Sequence, residues 1–166
     1  WKDDVPTFME IMTHITMRSQ NPEGIAMSIK RLLIADPSPR NADAATWRWR
    51  ALGSRALSVL QPLYEHPDML PRIAALRAGG GLKDPIVVPF LLEEATSDNA
   101  LGSRLDAIEL LETMPMDYRI EQGLRPLLND KDLEVRLRTA EALVERNDTS
   151  IRIYSIPEKF DLIHVP

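Results

Sequence analysis

The chain has 166 residues, of which 44% are hydrophobic and 5% aromatic, and its formal net charge is −5. It contains no cysteine, which excludes disulfides, thiolate catalysis and cysteine-ligated metal, and its mild negative charge argues against a partner bound mainly through a phosphate backbone. An aliphatic core with few aromatic residues favours stacked helices over a β-sandwich, and no apolar run reaches the roughly 20 residues that a membrane-spanning helix needs.

The start of the chain and its composition set expectations about its context. It begins at Trp1 without a methionine or a basic leader, so we expect an excised domain or a processed product of a larger chain. We expect a soluble protein and favour the cytoplasm, although the lack of cysteine leaves an exported compartment open.

The first 35 residues predict two helices. Apolar residues at helical spacing predict one helix over residues 5–18 and a second from Glu23 to about Ala35. Asn21 is suited to the N-cap of the second helix, and Pro22 to its first position. We interpret residues 1–35 as one degenerate helix pair.

A linker and a broken helical segment follow. The prolines at positions 37 and 39 push the residues before them out of the helical region, so residues 36–43 are interpreted as a linker. From Ala42 to Tyr64 the apolar spacing predicts either one long helix or two helices separated near Gly53.

The next helix is predicted to end in a run of glycines. It extends from Met69 to Ala78, with Asp68 as a candidate N-cap, and the glycines at 79–81 predict its C-terminal end. Lys83 follows this run, but the P-loop spacing is missing and a helix precedes it, so no phosphate site is expected.

Residues 84–148 follow a more regular pattern. Asp84 predicts the start of a helix over Ile86 to Ala95, and a partner helix follows from Leu101 to Thr113. The segment from Tyr118 to Asp148 contains two apolar helical stretches joined by a polar turn at residues 129–132. The chain therefore predicts about eight helices in four pairs.

The spacing of these pairs indicates a repeat. Moving the last helix back by 32 residues places Arg136 on Arg104 and Leu137 on Leu105, and a second step of 32 reaches Arg72. Equal steps with the same charged and apolar pattern are typical of helical arrays in which each unit buries its apolar face against its neighbours.

The tail, residues 149–166, changes pattern. Its alternating apolar residues predict two short β-like stretches around a turn at 157–159. An isolated hairpin is marginal in water. Either the tail packs on the last helix pair or it starts a further domain, which is the interpretation that we prefer.

The last helix pair resembles the HEAT family of helical repeats. It has a proline in its first helix, Pro126, an aspartate in its turn, Asp130, and the dipeptide Val135-Arg136 at the start of its second helix. The resemblance covers residues 51–148 well and residues 5–35 poorly.

This resemblance implies a fold and a general role. The implied fold is all-α, a right-handed α-α superhelix of about four helix pairs over residues 1–148, with regular units at 44–148. The family is used mainly as a protein-binding scaffold, so the resemblance implies a protein partner without identifying it.

Repeated aspartate and arginine positions are predicted to stabilise the stack. A guanidinium at equal spacing can donate to turn carboxylates and to helix-end carbonyls of the adjacent pair. We interpret five residues as such a structural ladder, in preference to ligand contacts: Arg72, Asp98, Arg104, Asp130 and Arg136.

The histidines do not indicate a metal site. His14, His66 and His164 lie in separate regions, and Glu10 and His14, which share a predicted helix face, have no third ligand nearby.

The paired carboxylates do not indicate a catalytic site. Glu93 with Glu94, and Glu109 with Glu112, are interpreted as solvated charge on exposed helix faces, because nothing in the pattern buries them. We expect no enzymatic activity, no metal and no cofactor.

The tetrapeptide Trp47-Arg48-Trp49-Arg50 lies in a locally basic region. Between Arg18 and Arg55 there are seven basic residues and three acidic ones, and arginines interleaved with aromatics can stack on bases and hold phosphates. We prefer the interpretation that one tryptophan is a core anchor. The alternatives are contact with an acidic patch of a protein partner and contact with nucleic acid.

The leading functional hypothesis is a non-enzymatic protein interaction scaffold. Its second helices would line the concave face of the array, and five outward residues are expected to contact the partner: Arg77, Asp106, Glu109, Arg138 and Glu141. The alternatives are a nucleic-acid-binding protein acting through residues 47–50 and a structural spacer in a larger assembly protein.

Overall fold

A computed structural model describes residues 21–97 and 100–146 of the chain. These residues form an all-α fold without a β-strand, which confirms the all-α part of the predicted fold class. The predicted helix over residues 5–18, Asp98 and the tail at 149–166 lie outside the described residues.

The chain divides into two compact units between Phe90 and Leu91, here called unit 1 and unit 2. The described α-helices are α1 (Pro22–Ala35), α2 (Pro39–Leu52), α3 (Leu57–Leu60), α4 (Met69–Gly81), α5 (Val88–Thr96), α6 (Leu101–Glu112), α7 (Tyr118–Leu124) and α8 (Leu133–Glu145). Four 3₁₀ segments accompany them in the described residues: Gly53–Ala56, Gln61–Leu63, Pro85–Val87 and Arg125–Asn129.

Side-chain caps start the first two helices of unit 1. The Asn21 side chain accepts a hydrogen bond from the Gly24 N–H at 2.9 Å, as the sequence predicts. The predicted linker at 36–43 is too long, because α2 already begins at Pro39. The Ser38 hydroxyl accepts from the Asn41 N–H at 3.2 Å, and proline is favourable in the first helical turn.

A single glycine separates α2 from the segment that follows. Gly53 has φ +66° and ψ −152°, a backbone conformation that is nearly restricted to glycine. Short 3₁₀ and α segments then continue to Leu63. Of the two predicted alternatives, the separated one is therefore correct.

The prediction that α4 ends at Ala78, before the glycine run, is wrong. The helix continues through Gly81, and the left-handed residue after it is Lys83, with φ 60°. A Cβ atom on Gly79 would collide with the ring of Tyr64. The glycine is therefore required by close packing, which overrides the local preference of glycine for a helix end.

Unit 1 contains a buried polar cluster beside this contact. The Tyr64 hydroxyl and the Gln61 amide donate to Asp84 Oδ2 at 2.9 and 3.2 Å. Asp84 Oδ1 accepts from the Ile86 N–H at 3.1 Å, so Asp84 caps the next segment as predicted. Burial raises the pKa of Tyr64, and the hydrogen bond to Asp84 raises it further.

The apolar face of α8 in unit 2 differs from the prediction. The helix buries Val135, Thr139, Ala142 and Leu143, which follow helical spacing, whereas Leu133, Leu137 and Val144 are exposed. The apolar pattern that predicts this helix consists of Leu133, Leu137, Ala140, Leu143 and Val144. Of these only Leu143 is buried, because the buried face is centred on Val135 and Thr139.

Candidate functional site

Arg104 lies at the centre of a charged junction in unit 2. Its side chain is buried, and it donates two hydrogen bonds to the carboxylate of Asp130, at 3.2 and 2.5 Å. A third bond, at 3.0 Å, reaches the Ala95 carbonyl. The hydrogen bonds from Arg104 hold the pKa of Asp130 below its usual range. This guanidinium therefore connects the end of α5 to the turn before α8.

Arg72 and Arg136 resemble each other, because each donates hydrogen bonds to two backbone carbonyls of the preceding turn. Arg72 Nη1 donates to the carbonyls of His66 and Pro67 at 2.7 and 3.2 Å, and Arg136 Nη1 donates to those of Asp130 and Lys131 at 2.8 and 3.2 Å. Each arginine thus reaches back six and five residues into the turn before its own helix.

Arg146 has a structural role that the sequence analysis did not assign. It is buried and donates to the carbonyls of Leu111, Glu112, Met114 and Pro115 at 2.7 to 3.3 Å. Its Nε donates to Glu121 at 2.8 Å. The signal available in the sequence was its position at the end of a predicted helix, where cations are favourable.

Three of the predicted partner-binding residues lie together on α6 and α8. Arg138 is within ion-pair distance of Glu109, at 3.9 Å, and of Glu141, at 3.3 Å. Its closest acidic neighbour is Glu112, at 2.9 Å, which the prediction did not include in this group. Asp106 is half-buried on α6.

The fifth predicted residue, Arg77, lies in unit 1. It pairs with Asp43 on α2 at 3.2 Å, so it belongs to a contact between α2 and α4.

The two tryptophans of the basic tetrapeptide have different environments. Trp49 is fully buried, and its indole Nε1 donates to the Ala26 carbonyl of α1 at 3.1 Å. Trp47 is 56% exposed, and the guanidinium carbon of Arg50 lies 5.0 Å from the centre of its ring. Arg48, which separates the two tryptophans in the sequence, is half-buried. Trp49 is thus a core anchor, and Trp47 with Arg50 belongs to the surface.

The carboxylate pairs are not uniformly exposed. Glu93 is exposed, but Glu94 is only 8% exposed, because it shares the buried side of α5 with Leu91 and Ala95. The interpretation of Glu94 as solvated charge is therefore wrong.

The described regions contain no cluster of potential metal ligands and no helix that could cross a membrane. His66 Nδ1 accepts from the Asp68 N–H at 3.1 Å, and Asp68 stands at the N-cap of α4 without a side-chain capping bond there. Residues 21–97 and 100–146 contain no group of three or more potential metal ligands. None of the helices in the same ranges is long and apolar enough to cross a membrane. Glu10, His14 and His164 lie outside these ranges.

Comparison with protein-family models, curated proteins and solved structures gives no significant match.

Proposed function

We propose that the chain is a HEAT-like helical repeat module that binds a partner protein without catalysing a reaction. The observation that carries this proposal is the spacing of four helices. The longer helices α2, α4, α6 and α8 begin at Pro39, Met69, Leu101 and Leu133, at intervals of 30, 32 and 32 residues. Near-constant spacing of one structural unit is the signature of a helical array.

The contacts inside each unit support a repeating arrangement. In unit 1, Thr46 of α2 donates to the Ala74 carbonyl of α4, and Arg50 lies against Gly81. From Thr46 to Arg50 these two contacts advance in the same direction along both helices, which supports a parallel arrangement of α2 and α4. The Asp43–Arg77 pair advances in the opposite direction and involves a long arginine side chain. Equivalent helices of neighbouring repeats pack in parallel.

Unit 2 has the same arrangement. Contacts progress from Arg104 with the Asp130 turn, through Glu109 with Arg138, to Leu111 with Arg146. Helices α6 and α8 therefore also run parallel. The matching turn contacts of Arg72 and Arg136, one in each unit, further support an internal repeat.

The proposal assigns the helix pairs as α1 with α2, then each short helical segment with the longer helix that follows it. The first pair is then residues 22–52, which differs from the predicted first unit at 1–35. A right-handed superhelix of about four pairs is the arrangement that we propose for this array.

The mixed charges of α6 and α8 are suited to a protein partner. Glu109 and Glu141 are both exposed, and Arg138 lies between them. A surface of alternating charge offers directional ion pairs to a polar protein face, whereas a phosphate backbone would be repelled by the carboxylates. We infer that this surface of unit 2 contributes to partner binding.

The test is a charge reversal with a matched control. The double substitution Glu109→Lys and Glu141→Lys is expected to abolish recovery of specific partners in a pull-down with the full chain. Glu93→Lys changes an exposed glutamate on α5, a helix that contributes none of the three residues of this surface, and is expected to leave recovery unchanged. Partners that survive the double reversal, or a pull-down without any specific partner, would contradict the proposal.

A further inference from the structure

The exposed face between α2 and α4 carries an aromatic and cationic patch, formed by Trp47, Arg50 and Lys83 and here called the Trp47 patch. Trp47 and Arg50 are three residues apart on α2, so both side chains leave the same side of the helix. The guanidinium of Arg50 lies 5.0 Å from the centre of the exposed indole ring, a distance typical of a cation–π contact.

The position of Arg50 depends on a glycine in the adjacent helix. A Cβ atom on Gly81 would lie 2.5 Å from Arg50 Nε and 2.9 Å from its Cδ. Because Gly81 has no side chain, the arginine stem can lie across the end of α4. This packing holds the guanidinium beside Trp47 and restricts its freedom.

A second cation completes the patch. Partial desolvation lowers the pKa of Lys83, and the nearby positive charge of Arg50 lowers it further. Within residues 21–97 and 100–146, Arg50 has no carboxylate partner. Arg50 thus lies beside an exposed indole and near the positive charge of Lys83, so an anion bound at Arg50 would be attracted by both charges.

The charge of unit 1 also favours an anionic partner. Residues 21–90 contain nine lysines and arginines against six aspartates and glutamates, whereas residues 91–146 contain seven against thirteen. Within an acidic chain, the patch therefore lies on the basic part, where an acidic ligand is attracted.

The neighbouring residues favour a peptide over a nucleic acid. Asp43, one helical turn before Trp47, pairs with Arg77 of α4 at 3.2 Å on the same two helices. A continuous phosphate backbone needs a run of cations, and the carboxylate of Asp43 would interrupt it. An acidic peptide can place a carboxylate at Arg50, near the positive charge of Lys83, and an apolar side chain on Trp47.

We propose that the Trp47 patch is a binding site for an acidic peptide segment of a partner protein. This inference rests on the proposed function, and it names the chemistry of the partner and a contact surface in unit 1. Trp47 acts as the aromatic anchor, a residue type that often dominates binding energy at interfaces.

The test uses the full chain and a synthetic probe. A fluorescein-labelled peptide of repeated Glu-Leu-Gly triplets is titrated by fluorescence anisotropy, with a Gln-Leu-Gly peptide as the uncharged control. The acidic peptide is expected to bind more tightly. Trp47→Ala and Arg50→Gln should each weaken its binding on the order of tenfold, and Arg31→Gln, an exposed arginine on α1, by less than about twofold. Circular dichroism checks that the variants remain helical.

Several results would overturn the inference. These are equal binding of the two peptides, equal weakening by Arg31→Gln, or tighter salt-sensitive binding of a single-stranded DNA oligonucleotide that Arg50→Gln removes. The last result would assign the patch to nucleic acid. Loss of pull-down partners through Glu109→Lys and Glu141→Lys, without any acidic-peptide binding, would leave the proposed function standing and reject this inference alone.

Discussion

Individual arginines in this protein are fixed mainly by the carbonyl and carboxylate groups around them. Arg104 and Arg146 are both buried, yet each donates to several acceptors, so neither charge is left without hydrogen bonds. Burial of a charge is tolerable under this condition. Removal of one partner should therefore cost more than the contact itself contributes.

Arg104→Ala tests this expectation. The substitution removes the two hydrogen bonds that Arg104 donates to the Asp130 carboxylate, and we expect the free energy of unfolding to fall by roughly 2 to 3 kcal/mol. The control is Arg119→Ala, which removes an exposed arginine paired with Asp117 and should have little effect. Urea unfolding followed by circular dichroism measures both. Equal losses would show that burial of the pair is unimportant.

The same pair predicts a dependence of stability on pH. Hydrogen bonds from Arg104 lower the pKa of Asp130 below its ordinary value of 3.8. The stabilisation is therefore fully present above that value and is lost as the pH falls through the lower pKa of the folded state. We expect the stability difference between the wild-type chain and Asp130→Asn to shrink between neutral pH and pH ~3. A difference that stays constant over this range would contradict the role of the ionised carboxylate.

At the level of helices, short-range sequence signals predicted where a helix begins better than where it ends. Asn21 and Asp84 cap their segments because a side-chain acceptor close in sequence is sufficient for an N-cap. The end of α4 was predicted three residues too early, because Gly79 is required by its close contact with Tyr64 and does not end the helix. The sequence likewise contained two candidates for the core anchor, Trp47 and Trp49. Which of them is buried depends on the orientation of α2 about its own axis, and this orientation directs Trp49 to the Ala26 carbonyl.

Two glycine substitutions separate packing from helix propensity. Gly79→Ala should destabilise the protein by about 1 kcal/mol or more, because the new methyl group meets Tyr64, whose hydroxyl is held by Asp84. Gly102→Ala in α6 has no heavy atom within 4 Å of the new Cβ and should stabilise by about 0.5 kcal/mol through helix propensity. Chemical denaturation measures both. A stabilising Gly79→Ala would show that the tyrosine can move.

At the level of the whole chain, composition and periodicity were sufficient to predict that the described residues are all-α and that the starts of α4, α6 and α8 are 32 residues apart. They could not identify the contacts within each unit, such as the donation from Trp49 to Ala26 or from Arg146 to four carbonyls. The helix pattern reports which side of a helix is apolar but not which neighbour covers it. The division between Phe90 and Leu91 is also not marked by a linker composition in the sequence.

The two units predict uneven effects of core substitutions. Leu60→Ala creates a cavity in unit 1 and Ile108→Ala one in unit 2, and both side chains are fully buried. Each should lower stability by about 2 to 5 kcal/mol, and in the helical array that we propose stability would be largely a sum of local terms. We expect amide hydrogen exchange to accelerate most in the unit that carries the substitution. Equal acceleration throughout the chain would indicate a single cooperative unit.

The positive φ of Gly53 has a consequence for the handedness of the residue that can occupy this position. Its angles, φ +66° and ψ −152°, are the mirror image of an extended conformation that ordinary L-residues favour. Chemical synthesis with D-alanine at position 53 should therefore stabilise the fold by about 0.4 to 1 kcal/mol, because it restricts the unfolded chain without backbone strain. L-alanine should instead cost about 1 to 3 kcal/mol. Thermal unfolding of the two stereoisomers, identical in composition, would measure how strongly backbone chirality determines the boundary after α2.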